Sequence, residues 1–292
     1  MVDPYVTHPT SVRPPRAKQL ASLLILLFLG IVWGLSFSFA RMSTESGIHP
    51  LMINYWTCLI GASLLSSYCF FTKQIPPLTR SLVGFYLICA LLGSVVPGTL
   101  YFYAASHVSA GVLSITIATV PLLTFIAAAV FHIEAVSYKR ILGILCGISS
   151  IGLLVVPNSS LPNPNAAPWV IMMVLAAACY AAEGLVIATR APSKVNVFVV
   201  VTAILITAVI IMTPIIWLTD TFQVMPWPFS RASWAILGMS VIMATAYGGF
   251  YYLIVLAGPV YASQTAYLIT LAGVMWGILI FDETHSAWIW AS

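Results

Sequence analysis

The sequence predicts an all-α integral membrane protein, a polytopic bundle of nine helices in two halves that thread the bilayer in opposite senses. Three observations carry this expectation. Of 292 residues, 61% are hydrophobic and 6% charged, with a mean hydropathy of +1.04. Apolar runs of spanning length recur along the whole chain, and one hairpin pattern occurs twice. Soluble domains carry roughly 25% charged residues, so this composition does not supply a water-facing surface. The 11 Lys and Arg exceed the 7 Asp and Glu by +4. In so apolar a chain that surplus reports orientation in the bilayer, and no nucleic-acid partner is implied.

A spanning helix needs about 20 apolar residues, because the hydrocarbon core is about 30 Å thick and a helix rises about 1.5 Å per residue. Residues 1–19 hold Pro4, Pro9, Pro14 and Pro15 and read as a disordered cytoplasmic tail. Spans are then predicted over 20–40, 51–71, 82–103, 110–131, 141–156, 169–188, 197–218, 234–256 and 259–281, the fifth being short. The uncharged stretch 157–168 (PNSSLPNPNAAP) reads as an extracytoplasmic linker between a first half, 20–156, and a second, 169–292. With the N-terminus inside, Arg13, Arg16, Lys18, Lys73, Arg80, Lys139, Arg140, Arg190 and Lys194 are cytoplasmic and only Arg41 and Arg231 lie outside. Short cytoplasmic loops attract Lys and Arg, so this asymmetry supports the threading.

The segment GTLYFYAASHVSAGVLSITIATVPLLTFIAAAVFHIE, ending at Glu134, is similar to GGFYYLIVLAGPVYASQTAYLITLAGVMWGILIFDE, ending at Glu283. Each reads as a tight two-helix hairpin with aromatic residues before the turn, small residues after it and Glu at the exit. An odd number of helices separates them, so the first turns outside and the second inside. Inverted halves of this kind are the architecture of secondary transporters, with the binding site near the midplane.

In this order and spacing the chain resembles the drug/metabolite transporter superfamily, specifically its EamA-type members. The residues that carry the likeness are Trp33-Gly34 and Ser36-Phe37, Ser109-Ala110 through Pro121 and Glu134, and Gly258-Pro259 through Glu283. The resemblance implies two inverted five-helix repeats, here with nine helices present and the tenth truncated: residues 287–292 (AWIWAS) look like its first turn. It also implies a multi-pass inner (plasma) membrane protein with a small-molecule substrate. An Arg common in the family's second helix is replaced by Thr57, so no role of that Arg is carried over.

Glu183, in CYAAEGLVIATR, is the one acid inside a predicted span. An ionised carboxylate in hydrocarbon costs several kcal/mol unless it has a partner or a proton. Either it faces a cavity, where it receives a substrate ammonium or binds a proton in alternation with substrate, or it reaches the cytoplasmic interface and Arg190. Tyr180 lies one turn away on the same face. The wider aromatic set comprises Trp33, Tyr101, Tyr103, Tyr247, Tyr251, Tyr252, Tyr267 and Trp276. The resemblance implies that their helices surround a central cavity, although interfacial belts and helix contacts collect the same residue types. Ser36, Ser38, Thr116 and Gln264 are polar at depth, and each serves either a site or a local carbonyl.

Pro97, Pro121 and Pro214 are expected to interrupt helices, Pro121 freeing the Ile117 carbonyl as a bending point. Gly248-Gly249 permits either close packing or a flexible joint. The candidate substrate site is therefore Glu183, Tyr180, Gln264, Trp33, Ser36, Tyr101, Thr116, Tyr247, Tyr252 and Tyr267, with Pro121, Gly248 and Gly249 as hinges. The five cysteines lie in apolar stretches without a CxxC pair, and no HExxH or GxSxG motif occurs. No metal, cofactor or enzymatic reaction is expected. The function expected is secondary transport by alternating access, with export of amino acids or similar small organic metabolites and protons as a possible coupled ion. A non-transporting assembly subunit and an intramembrane enzyme are the competing readings.

Overall fold

The computed structural model describes residues 16–131 apart from Ser46, 138–155, and 166–292 apart from Pro226. The tail 1–15, Glu134 and most of the expected linker lie outside the described residues. Helices account for nearly all the rest: α1 (Arg16–Thr44), α2 (Pro50–Phe71), α3 (Arg80–Ala90), a π-helical turn (Leu91–Val95), α4 (Val96–Ala105), α5 (Ala110–Ile117), α6 (Thr119–Val130), α7 (Tyr138–Val155), α8 (Ala167–Arg190), α9 (Val197–Leu218), α10 (Arg231–Ala257), α11 (Pro259–Ser263), α12 (Thr265–Phe281) and α13 (Ala287–Ala291). Among the described residues there is no strand, and seven helical stretches are long and apolar enough to cross a membrane.

Two of the predicted spans, α2 and α7, are not among those seven. In α2 the reason is visible in Asn54, Thr57, Ser63, Ser66 and Ser67, which dilute its hydropathy. It is nonetheless 22 residues long and runs against α9 and α10. Helix α1 begins four residues before the predicted span, so Arg16 to Gln19 belong to it. The fragment 287–292 forms α13, and Ser292 is bonded to α7: Ser292 Oγ donates to Ser150 O at 2.8 Å and Ser150 Oγ donates to Ser292 O at 2.9 Å.

Helix starts follow local sequence chemistry. Ser109, Asn196 and Ser230 each place a side-chain oxygen on a backbone N–H of the first turn, at 3.3, 2.9 and 3.3 Å. These bonds satisfy donors that have no partner within the helix. Gly258, at φ +89°, ends α10 in a conformation that favours glycine, and Pro259 starts α11.

The loops gather at two ends. At the first, Thr44 reaches Ala105 O (3.4 Å), Tyr103 meets His49 (3.0 Å), Arg41 faces Glu283 (3.6 Å) and Arg231 lies over the Phe281 ring. At the second, Asn196 Nδ2 donates to Tyr68 (3.4 Å), and Phe198 fills the notch at Gly248. Helix α10 has 27 residues, about 40 Å at the α-helical rise, so Gly258 lies at the end remote from Arg231. The α4–α5 turn thus sits at the first end and the α10–α11 turn at the second.

Small residues set the closest crossings. A Cβ added to Gly34 would come within 2.6 Å of Ala272 Cβ, and one on Gly273 would collide with Ser114 Cβ. Such contacts let α1, α5 and α12 approach backbone to backbone. Two apolar spans are also interrupted. Ala118 separates α5 from α6 three residues before Pro121, and Gln264 separates α11 from α12. Pro121 has no N–H for Ile117 O, which is the physical cause of the first break.

Candidate functional site

A cavity of about 120 Å³ lies at the centre of the bundle, walled by helices of both halves. Its polar groups come from α1 (Ser36), α2 (Asn54, Thr57), the π-helical turn (Ser94), α8 (Glu183), α10 (Tyr247), α11 (Ser263) and α12 (Thr265). Its apolar wall combines aliphatic residues with aromatic ones, Trp33 and Phe37 on α1, Tyr101 and Phe102 on α4, Tyr180 on α8 and Phe250 on α10. Trp33 meets Phe250 edge to face at 5.6 Å, and Phe37 meets Tyr101 at 5.7 Å.

The stretch around Pro97 makes room for the two most polar side chains. Pro97 offers no N–H to Gly93 O, and the chain there widens into a π-helical turn closed by Val96 N–H to Leu91 O. Asn54 Nδ2 donates to Ser94 O at 3.1 Å, with Thr99 Oγ1 at 3.3 Å. Gly98 leaves the space that the Asn54 amide fills, since a Cβ there would meet Oδ1 at 2.5 Å. Gly93 does the same for Glu183, whose carboxylate any Cβ at position 93 would overlap.

Glu183 is 3% exposed and faces this cavity rather than the interface. Its carboxylate accepts a hydrogen bond from the Tyr247 hydroxyl, and no cationic side chain pairs with it among the described residues. A buried carboxylate with one neutral donor and no counter-ion is a strong point charge waiting for a cation or a proton.

Of the residues singled out in the sequence, Glu183, Tyr180, Trp33, Ser36, Tyr101 and Tyr247 line the cavity. Four do not. Tyr252 and Tyr267 are 46% and 47% exposed on the outside of the bundle, away from the cavity. Thr116 is buried but bonds its own helix through Val112 O at 2.9 Å. Gln264 occupies the α11–α12 break, its amide nitrogen donating to Val260 O at 3.2 Å. Gly248 and Gly249 sit inside an unbroken α10, with Phe198 and Leu29 packed into their notches. Pro214 likewise lies within a continuous α9.

The sequence reading missed Asn54, Ser94, Ser263 and Thr265. Asn54 carried a usable signal, being an Asn inside an apolar helix whose amide needs partners in a low dielectric. Ser94 carried none, because its placement depends on the π-helical turn.

A multi-pass bundle enclosing a carboxylate in an aromatic cavity has the build of a membrane transporter. Residues 20–156 match the EamA-like transporter family. The uncharacterized inner membrane transporter YedA of Escherichia coli K12 is 28% identical over 278 residues, 94% of this chain and 88% of YedA. The WAT1-related protein At3g28100 of Arabidopsis thaliana is 30% identical over 128 residues, 40% of this chain and 35% of that protein. One solved crystal structure superposes with a TM-score of 0.67 over 93% of this chain and 92% of the other at 14% identity, a likeness of fold alone. Family match, relatives and apolar helices together support a multi-pass inner-membrane transporter.

Proposed function

We propose that this chain is a secondary transporter that exports a small organic metabolite of about amino-acid size by alternating access through the central cavity. The observation that carries the reading is the Glu183–Tyr247 pair, buried at the meeting of α8 and α10 with helices of the first half. Two inverted repeats, 20–156 and 169–292, rock about this point. The α4–α5 and α10–α11 turns lying at opposite ends favour such a relation. A cytoplasmic N-terminus follows from the basic residues, since Lys73, Arg80, Arg190 and Lys194 sit in the loops and helix ends of the second end and Arg41 and Arg231 at the first. All nine predicted spans, α2 and α7 included, then cross the membrane. Glu183 exchanges a proton for substrate in this reading, because both ligands neutralise the same buried charge.

Flux across proteoliposomes under an imposed pH gradient tests it. The native chain is expected to move substrate against its gradient, and Glu183→Gln to insert normally yet lose the dependence on pH. Flux of the Gln variant that follows pH as the native chain does would defeat the assignment.

A further inference from the structure

We propose that the central site selects an organic monocation, an amine with no carboxylate, and turns away zwitterionic amino acids. This deepens the transporter reading above and rests on it. The argument is an inventory of what the cavity wall still has to offer. Its one charged group among the described residues is Glu183, and no Lys, Arg or His lines it. An amino acid would leave its own carboxylate in the same low-dielectric space as Glu183, with repulsion added to lost hydration.

Neutral donors would have to compensate that charge, and among those lining the cavity all but the Trp33 indole, the Tyr180 hydroxyl and the Ser94 hydroxyl are already committed. Ser36 Oγ donates to Trp33 O (2.6 Å), Thr57 Oγ1 to Ile53 O (2.9 Å) and Tyr101 to Ser36 O (3.2 Å). Ser263 Oγ and Thr265 Oγ1 donate one turn back, to Val260 O (2.9 Å) and Ala262 O (2.7 Å). The Asn54 amide and the Tyr247 hydroxyl are engaged as described. The breaks at Ala118 and Gln264 set one helix's C-terminus against the next one's N-terminus, so neither leaves an isolated positive end.

A hydroxyl oxygen can also accept an N–H. Beside Glu183, Ser94 Oγ is buried with no hydrogen-bond partner. It follows Gly93, whose missing Cβ is the space occupied by the carboxylate. A carboxylate, a free hydroxyl oxygen and the aromatic side chains of Trp33, Tyr180 and Phe250 along the wall form a receptor for an ammonium: a counter-charge, an N–H acceptor and polarisable rings.

The test uses the full chain in lipid nanodiscs and three probes that share one body: phenethylamine, L-phenylalanine and 2-phenylethanol. Calorimetric titration at neutral pH is expected to show phenethylamine binding at least tenfold tighter than either of the others. In Glu183→Gln the amine should fall to the level of the alcohol, while the alcohol's own binding, unchanged, reports an intact cavity. Glu183→Asp should restore part of the preference. Phenylalanine binding as tightly as the amine, amine binding indifferent to Glu183→Gln, or no amine binding at millimolar concentration would each overturn the proposal. Proteoliposome flux separates the two layers of inference. If phenylalanine crosses and phenethylamine does not, transport stands and the selectivity falls. If the amine binds at Glu183 and no probe crosses, the selectivity stands and transport falls.

Discussion

Single residues decide whether the cavity holds a usable charge. Gly93 is the clearest case, because a Cβ there overlaps the tip of a flexible side chain and not a backbone. Gly93→Ala should therefore push the Glu183 carboxylate aside and cut flux severalfold, with a loss in thermal unfolding no larger than the low end of the usual overpacking cost of about 1–3 kcal/mol. Gly84→Ala, in the same span with nothing within 4 Å of its Cβ, is the matched control and should leave flux unchanged. His49 makes a second residue-scale prediction. Leu51 N–H donates to its Nδ1 (3.3 Å), so the neutral ring carries its proton on Nε2, facing the Tyr103 hydroxyl. Burial holds this imidazole below its ordinary value of 6.5. Folding thus favours the uncharged ring, and the stability it contributes is complete above that value and lost as pH falls below it. Melting curves should show the native chain losing more stability between pH 7.5 and 5.5 than His49→Gln does. Equal losses would remove His49 from the account.

At the scale of elements, the α5–α12 crossing is the seam between halves at the first end. Glu283, just past α12, accepts hydrogen bonds from Ala110 N (3.0 Å) and Gly111 N (3.0 Å) at the start of α5. Farther along, Thr270 Oγ1 lies 2.8 Å from Ser114 O, and Ser114 Oγ 3.3 Å from Thr270 O. The carboxylate meets the positive end of α5, where hydrogen bonds to a charged group contribute about 1.5–3 kcal/mol. Glu283→Ala should lower the unfolding free energy by about that amount. Gly273→Ala should do comparable damage, since its Cβ meets Ser114 Cβ, which cannot swing away. If neither variant shifts the melting temperature, the crossing is not a stabilising seam.

For the whole molecule, the arrangement of ends carries the most weight. Single cysteines at Ser106 and Tyr261, introduced beside the two hairpin turns, should react with an impermeant maleimide from opposite faces of the membrane. Tyr261 stands in for Gly258, whose positive φ makes substitution there strained. Labelling of both from one face would end the inverted-repeat reading and the alternating-access mechanism with it.

Composition and the length of the apolar runs were enough to establish an all-helical membrane protein, because lipid leaves the backbone of a spanning segment few options but a helix. The same reasoning exposed Glu183, since an acid inside an apolar run is costly wherever the helix turns. Rotation about each helix axis lay beyond the sequence. Tyr247 and Tyr252 are neighbours on α10, yet one bonds Glu183 and the other faces outward. Periodicity says that they differ in face without saying which face is inside. The π-helical turn, the glycine notches at positions 93 and 98, and the commitment of most of the nearby Ser and Thr hydroxyls to carbonyls belong to the tertiary structure. They arise only when helices far apart in the chain meet, and they set the charge that the cavity accepts.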